Sequence, residues 1–201
     1  MDRKSLQKRK TNETEVEVNL NIDGTGKSSI KTGIDFLDHM LDLLAFFSLF
    51  DLEVKAKGDL GIDIHHTNED IGITIGKALK ECLGEGRGIN RFGYAFAPMD
   101  ECLVRVVIDI CGRAGYERSD KGVTLIQKEE GKYSLDDGDH FLESLSKQCG
   151  INMDITIIKG SADVHHVLEA AFKASGLALK MACAIDPRRE GISSTKGIID
   201  L

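Results

Sequence analysis

From Glu13 the chain alternates apolar and polar residues. Val16, Val18, Leu20 and Ile22 are separated by single polar positions, the period of a strand with one buried face. Glu13 thus precedes the first predicted strand. Asp23-Gly24-Thr25-Gly26 signals a turn. In "DFLDHMLDLLAFF" the spacing changes: Phe36, Leu37, Met40, Leu41, Leu44 and Phe47 fit one helical stripe, which also carries His39. "LFDLEVKAKG" predicts another strand. A longer helix follows, with Ile71, Ile75, Ala78, Leu79 and Cys82 on its apolar side, and "GEGRG" closes the segment.

The same order then recurs. Glu101 opens the β-rich run "ECLVRVVIDICGR", as Glu13 opens the first; each run reaches a glycine at the same remove, Gly24 and Gly112. "DHFLESLSKQ" predicts a helix with His140, "INMDITIIKG" a strand ending in Lys-Gly like the first, and Val167, Ala170, Ala171, Ala174, Leu177, Ala178 and Met181 a second long helix. The expectation is an internally duplicated α/β (α+β) domain: a first repeat over 1–92, a second over 93–185, and a C-terminal substrate-binding tail over 186–201. The period is too long and the identity too low for a solenoid.

The repeats change how the histidines read. "HHTNE" and "HHVLE" give His-His-x-x-Glu twice, and these motifs with His39 and His140 use all six histidines of the chain. A single histidine is most often a packing or surface residue, but two matching triplets, each with its glutamate, point to metal ligation. If each motif opens a helix, His65 and Glu69 share a face and can hold one ion, while His66 stands about 100° away and serves another. One site then takes His65, Glu69, His166 and His140; the other takes His165, Glu169, His66 and His39. Three imidazoles and one carboxylate suit divalent Mn, Fe, Co, Ni or Zn better than Mg or Ca. Two divalent ions per chain are expected.

Composition narrows the class. Net charge is −7 over 201 residues, which argues against general nucleic-acid binding. No apolar run reaches the ~18 residues of a membrane span, and the basic N-terminus is followed by no apolar stretch of a secretory signal. Five cysteines without a C-x-x-C read as buried thiols of a reducing compartment, so a cytoplasmic protein is expected. Against the acidic background, Arg91, Arg113, Lys173 and "SSTKG" with Ser194 and Lys196 offer the forks, ammonium groups and hydroxyls that hold a phosphate monoester.

"NETEVEVNLNIDGTG", "TGIDFLDHM", "GDLGIDIHHTNED", "GINRFG", "PMDE", "CGRAGYE", "DHFLESL", "HHVLEAAFKA" and "SSTKG", in that order, resemble the imidazoleglycerol-phosphate dehydratase family of histidine biosynthesis over nearly the whole chain. The resemblance implies that each half is a four-stranded sheet with helices on one face, that the ions are Mn2+, and that 24 copies form a homo-oligomeric cage. It implies a small phosphorylated imidazole substrate, imidazole glycerol phosphate, dehydrated to imidazole acetol phosphate. Carried over, Glu13 is the acid–base carboxylate, and Arg91, Arg113, Lys173, Ser194 and Lys196 bind substrate phosphate. Leu43, Ile64 and "SADVHH" depart from the family pattern; all eight ligands are retained. A dinuclear metallohydrolase acting on a phosphate ester and a non-catalytic, metal-stapled assembly protein are the alternatives.

Overall fold

In a computed structural model, residues 2–120, 122–123, 129–130, 132–160 and 163–201 are described. Ser161 and Ala162 of the "SADVHH" departure lie outside them. The first half contains strands β1 (Lys4–Lys10), β2 (Thr14–Asn21), β3 (Ser28–Lys31) and β4 (Asp51–Gly58), and helices α1 (Asp35–Ser48) and α2 (His65–Leu83). The second contains β5 (Phe92–Met99), β6 (Cys102–Ile110), β7 (Gly115–Ser119), the short pair β8 (Glu129–Glu130) and β9 (Tyr133–Ser134), α3 (Leu135–Cys149), β10 (Ile151–Lys159) and α4 (Val164–Cys183). The sheets have the same plan, β1-β2-β4-β3 and β5-β6-β10-β7. In each, the first three strands are antiparallel and the last pairs in parallel. The duplication is therefore structural.

Alternation sets which face of each sheet is covered. Val16, Val18 and Leu20 of β2 and Val104, Val106, Ile108 and Ile110 of β6 are all buried. The helices cover those faces: α2 packs on β1 and β2, and α4 on β5 and β6. Across the halves α1 packs on α4 and α2 on α3, so the four helices lie between the two sheets in one continuous apolar core. Two glycines, Gly76 of α2 and Gly176 of α4, stand at equivalent places in these seams. A Cβ on Gly76 would come within 2.6 Å of the Leu145 carbonyl oxygen of α3, and one on Gly176 within 2.8 Å of the Leu44 carbonyl oxygen of α1.

The first strand is Lys4–Lys10, so Glu13 does not precede the first strand; it sits in the turn between β1 and β2. β1 hides from the hydrophobic pattern because its single large apolar residue, Leu6, faces outward and is 58% exposed, while Ser5 faces in. The helix starts are set by local chemistry. Ser134 and Asp137 form a reciprocal capping box at α3, and Asp163 caps α4 by accepting from His165 N–H. At α1, Asp38 accepts from Thr32 N–H at 3.0 Å. Leu43 is partly buried against the core. Among the described residues no helix is long and apolar enough to cross a membrane.

The C-terminal segment is bound to the junction between the halves. Gly88 N–H donates to the Gly191 carbonyl at 2.8 Å, Asn90 N–H to that of Ala184 at 2.8 Å, and Arg91 N–H to that of Ala182 at 2.9 Å. The seryl hydroxyl of Ser193 reaches the Ile89 carbonyl.

Candidate metal centre and phosphate pocket

Both His-His motifs open a helix. Asp63 Oδ1 accepts from His65 N–H and Asp163 Oδ1 from His165 N–H, each at 2.9 Å. The paired rings diverge alike: His65 and His66 centroids are 6.0 Å apart and His165 and His166 centroids 6.2 Å, both with planes at 78°. Adjacent histidines therefore serve different directions.

The lone histidine of each half joins the motif of the other. His39 Nε2 lies 2.9 Å from Glu169 Oε1, and His165 Nε2 lies 3.2 Å from the same oxygen. These three present ligand atoms within 4.8 Å of one another. His140 faces His65, with ring centroids 4.4 Å apart. Glu69, half-buried, lies one turn along α2 from His65. Beside the first cluster a cavity of about 520 Å³ is lined by Phe36, His39, Ile64, Tyr133 and His165 among others.

His66 and His166 turn elsewhere. His66 Nδ1 is 3.0 Å from Asp59 Oδ2 and 3.7 Å from Glu13 Oε2. His166 Nδ1 is 3.2 Å from Glu101 Oε1, and Asp100 is nearby at 3.7 Å. In both cases a carboxylate holds Nδ1, the arrangement that fixes a ligating imidazole; on His166 the Asp100 carboxylate stands 3.7 Å from the other nitrogen, Nε2. Asp59 and Glu101 are functional candidates that reading the sequence missed as ligand partners. Glu101 left a signal, since it opens the second β-run as Glu13 opens the first; Asp59 left none.

Charge follows this geometry. Hydrogen bonding to Asp59 raises the pKa of His66, and hydrogen bonding to Glu101 raises that of His166. Burial works to raise the Glu169 carboxyl, but Lys173, His39 and His165 outweigh it and bring it to about 2. Lys173 Nζ lies 2.5 Å from Glu169 Oε2 and 3.2 Å from Met99 Sδ. Two imidazoles and a carboxylate are a donor set that fits a divalent ion.

The other basic residues gather at the junction between the halves. Arg91, Arg113, Ser194 and Lys196 line one cavity of about 310 Å³; Lys173 is not among its lining residues. Arg91 Nε and Nη2 grip Asp109 at 2.6 and 3.0 Å, and Nη1 donates to the Ser193 carbonyl at 3.1 Å. That leaves two of the five guanidinium N–H groups for a ligand. Arg91 takes φ +74°, a left-handed conformation uncommon for a residue with a side chain. Its carbonyl accepts from Ile110 N–H at 3.1 Å, and its own N–H is bonded to Ala182, so the backbone is held from both sides.

Comparison with known proteins gives the family and the fold. A family model described as imidazoleglycerol-phosphate dehydratase matches residues 32–179. The imidazoleglycerol-phosphate dehydratase of Pelobacter propionicus is 45% identical over 99% of this chain and 100% of its own length. That of Acetivibrio thermocellus is 47% identical over the same shares. The crystal structure of IGPD from Pyrococcus furiosus superposes with a TM-score of 0.81 at 34% identity, covering 96% of this chain and 100% of that one. For imidazoleglycerol-phosphate dehydratase from Staphylococcus aureus the TM-score is 0.80 at 32% identity, covering 91% and 99%.

Proposed function

Because the chain belongs to the imidazoleglycerol-phosphate dehydratase family, a family of hydro-lyases, we propose that it dehydrates imidazole glycerol phosphate to imidazole acetol phosphate using two divalent ions, Mn2+, per chain. The observation that carries the metal requirement is the crossed cluster of His39, His165 and Glu169, three convergent donors drawn from both halves.

His39, His165 and Glu169 would hold one ion, and His65, His140 and Glu69 the other. Each set has two imidazoles and one carboxylate, so each lacks the third imidazole. His66 and His166 are the remaining histidines, and within one chain they face Asp59 and Glu101 instead. We therefore read the sites as completed between copies, with His66 and His166 of one chain serving a neighbour. An open aromatic surface supports a homo-oligomer: Phe92, Tyr94 and Phe96 of β5 are each more than half exposed on the outer side of their sheet. A 24-subunit assembly is the form we propose.

Divalent ions, when bound, favour the imidazolate form of the substrate ring, whose electrons help expel the hydroxyl from the adjacent carbon. The chain's residues do the rest. Glu13, exposed and 3.7 Å from His66 Nδ1, accepts the proton from the neighbouring carbon. The resulting enol becomes the ketone, and water is the leaving product. Arg91, Arg113, Ser194 and Lys196 hold the phosphate, and fixing that end orients the reacting carbons. Lys173, paired with Glu169, binds the substrate from the metal side.

Assay of the Mn-loaded protein on imidazole glycerol phosphate tests this. The expected product is the ketone with its phosphate still attached. Release of inorganic phosphate would instead identify a metallohydrolase, and absence of turnover with both ions bound would identify a metal-stapled assembly protein.

A further inference from the structure

The hairpin that carries Glu13 is tied to helix α2 by a polar triad that the other half lacks. Asp70, one residue beyond Glu69, is only 7% exposed. Both its oxygens are taken: Oδ1 accepts from Arg9 Nε at 2.7 Å, and Oδ2 from the Thr14 hydroxyl. Thr14 adjoins Glu13. The Thr11 hydroxyl accepts from Glu13 N–H at 3.1 Å and from Thr14 N–H at 3.0 Å. Contacts thus run without a break from the helix that begins with His65-His66 to the backbone of Glu13.

The second half shows what the packing alone requires. Arg9 pairs with Val16 across β1 and β2, and Ala97 pairs with Val104 across β5 and β6. By the same correspondence Thr14 matches Cys102, and Asp70 matches Ala170. Ala97, Cys102 and Ala170 are 4%, 2% and 0% exposed. Small residues fill these three positions without a charge, the one polar contact being the Cys102 thiol to Glu101 Oε1 at 3.7 Å. A buried carboxylate is costly even when paired, and the best pairing recovers the cost rather than adding net stability. The triad is therefore not needed to close the core. The two hairpins are equal in length: Thr11 N–H donates to the Thr14 carbonyl at 2.9 Å, so Asn12 and Glu13 span the first turn as Asp100 and Glu101 span the second between Met99 and Cys102. What sets the first apart is the charged anchor beneath it.

We propose that Asp70, with Arg9 and Thr14, forms a positioning group that fixes the Glu13 hairpin on α2 and holds its carboxylate at His66. The inference rests on Glu13 as the acid–base residue. Its test copies the second half into the first: Arg9→Ala, Thr14→Cys and Asp70→Ala together. The triple variant is expected to melt within a few degrees of the parent and to keep its ion content. Its kcat should fall about 10²-fold, the scale of a misplaced reacting group, with KM little changed. Thr14→Val, nearly isosteric, keeps the test open if the triple variant fails to fold; its kcat should fall about tenfold, and Thr14→Ser should restore it. In a Glu13→Gln background the same changes should cost nothing further, because there is no carboxylate left to position. The inference is overturned if Glu13→Gln collapses turnover while Thr14→Val keeps full kcat, or if the losses multiply in the double background. Normal turnover in Glu13→Gln itself would remove the acid–base reading, and this one with it.

Discussion

His39 and His165 belong to opposite halves of the chain, yet their ring centroids stand 5.8 Å apart and both rings reach Glu169 Oε1. The corresponding contact of His140 with His65 runs the other way across the seam. Each half therefore contributes a histidine to the other's cluster, and on the proposed ion sites a lesion in one half should be felt as loss of the ion nominally held by the other.

That gives a prediction about ion content. The native protein should retain two divalent ions per chain after dialysis. His39→Ala should lower the content to about one per chain, as should His140→Ala, and the double variant should retain close to none. Elemental analysis decides it; an unchanged content in both single variants would show that these histidines are not ligands.

The particle should also respond to the ions. His66 and His166 are held at Asp59 and Glu101, away from the clusters of their own chain. If a neighbour uses them, chelation should reduce the mass measured by light scattering, and Mn2+ should restore it. A particle of constant mass would mean that protein–protein contacts suffice for assembly.

The two glutamates of the first half should separate by readout. Glu13→Gln should lower kcat by at least the ~10²-fold expected for loss of a general base while both ions stay bound. Glu69→Gln should lower ion content and rate together, since it removes the carboxylate beside His65. Ion loss in Glu13→Gln would reassign Glu13 to the metal shell.

Acid and base should act in opposite senses. The raised pKa values of His66 and His166 mean that the ion-free fold gains stability from their protonated forms below the ordinary histidine value of ~6.5, and loses it as pH rises through their raised values. Ligation needs neutral imidazoles, so ion affinity should begin to fall, on acidification, at a pH above ~6.5. The depressed carboxyl of Glu169 contributes above the ordinary carboxylate range and is lost only as pH falls toward about 2. Ion-binding titrations from pH 5 to 9 would check the histidine part. Affinity that holds constant down to pH 6 would contradict it.

Much of this was legible in the chain before any coordinates. β2, β4 and β6 announce themselves because one face of each is buried in regular alternation, and β10 because its first residues alternate before the run Ile155–Ile157 is buried throughout. The stripe of α1 and the repeated His-His-x-x-Glu were equally plain. β5 was hidden for a physical reason: its large residues Phe92, Tyr94 and Phe96 face out, and Gly93, Ala95 and Ala97 face in, so the usual pattern is inverted. β3 and β7 are too short to show a period. Asp59 and Glu101 as histidine partners, and Arg91 clamped by Asp109, are long-range meetings that no local pattern records. The same holds for Asp70, which in the sequence is one more acidic residue after Glu69.

Gly176 gives the seam between α1 and α4 a consequence for chemistry. Those helices carry His39 on one side and His165 with Glu169 on the other, and their backbones approach so closely that a single methyl group has no room. The glycine is in effect a spacer gauge, setting the bite of the proposed chelate between two separate rods. A bulkier residue there would touch no ligand, yet it would widen the gap that the ion must span. In this fold a flaw in core packing would be read out as a weakened affinity for metal.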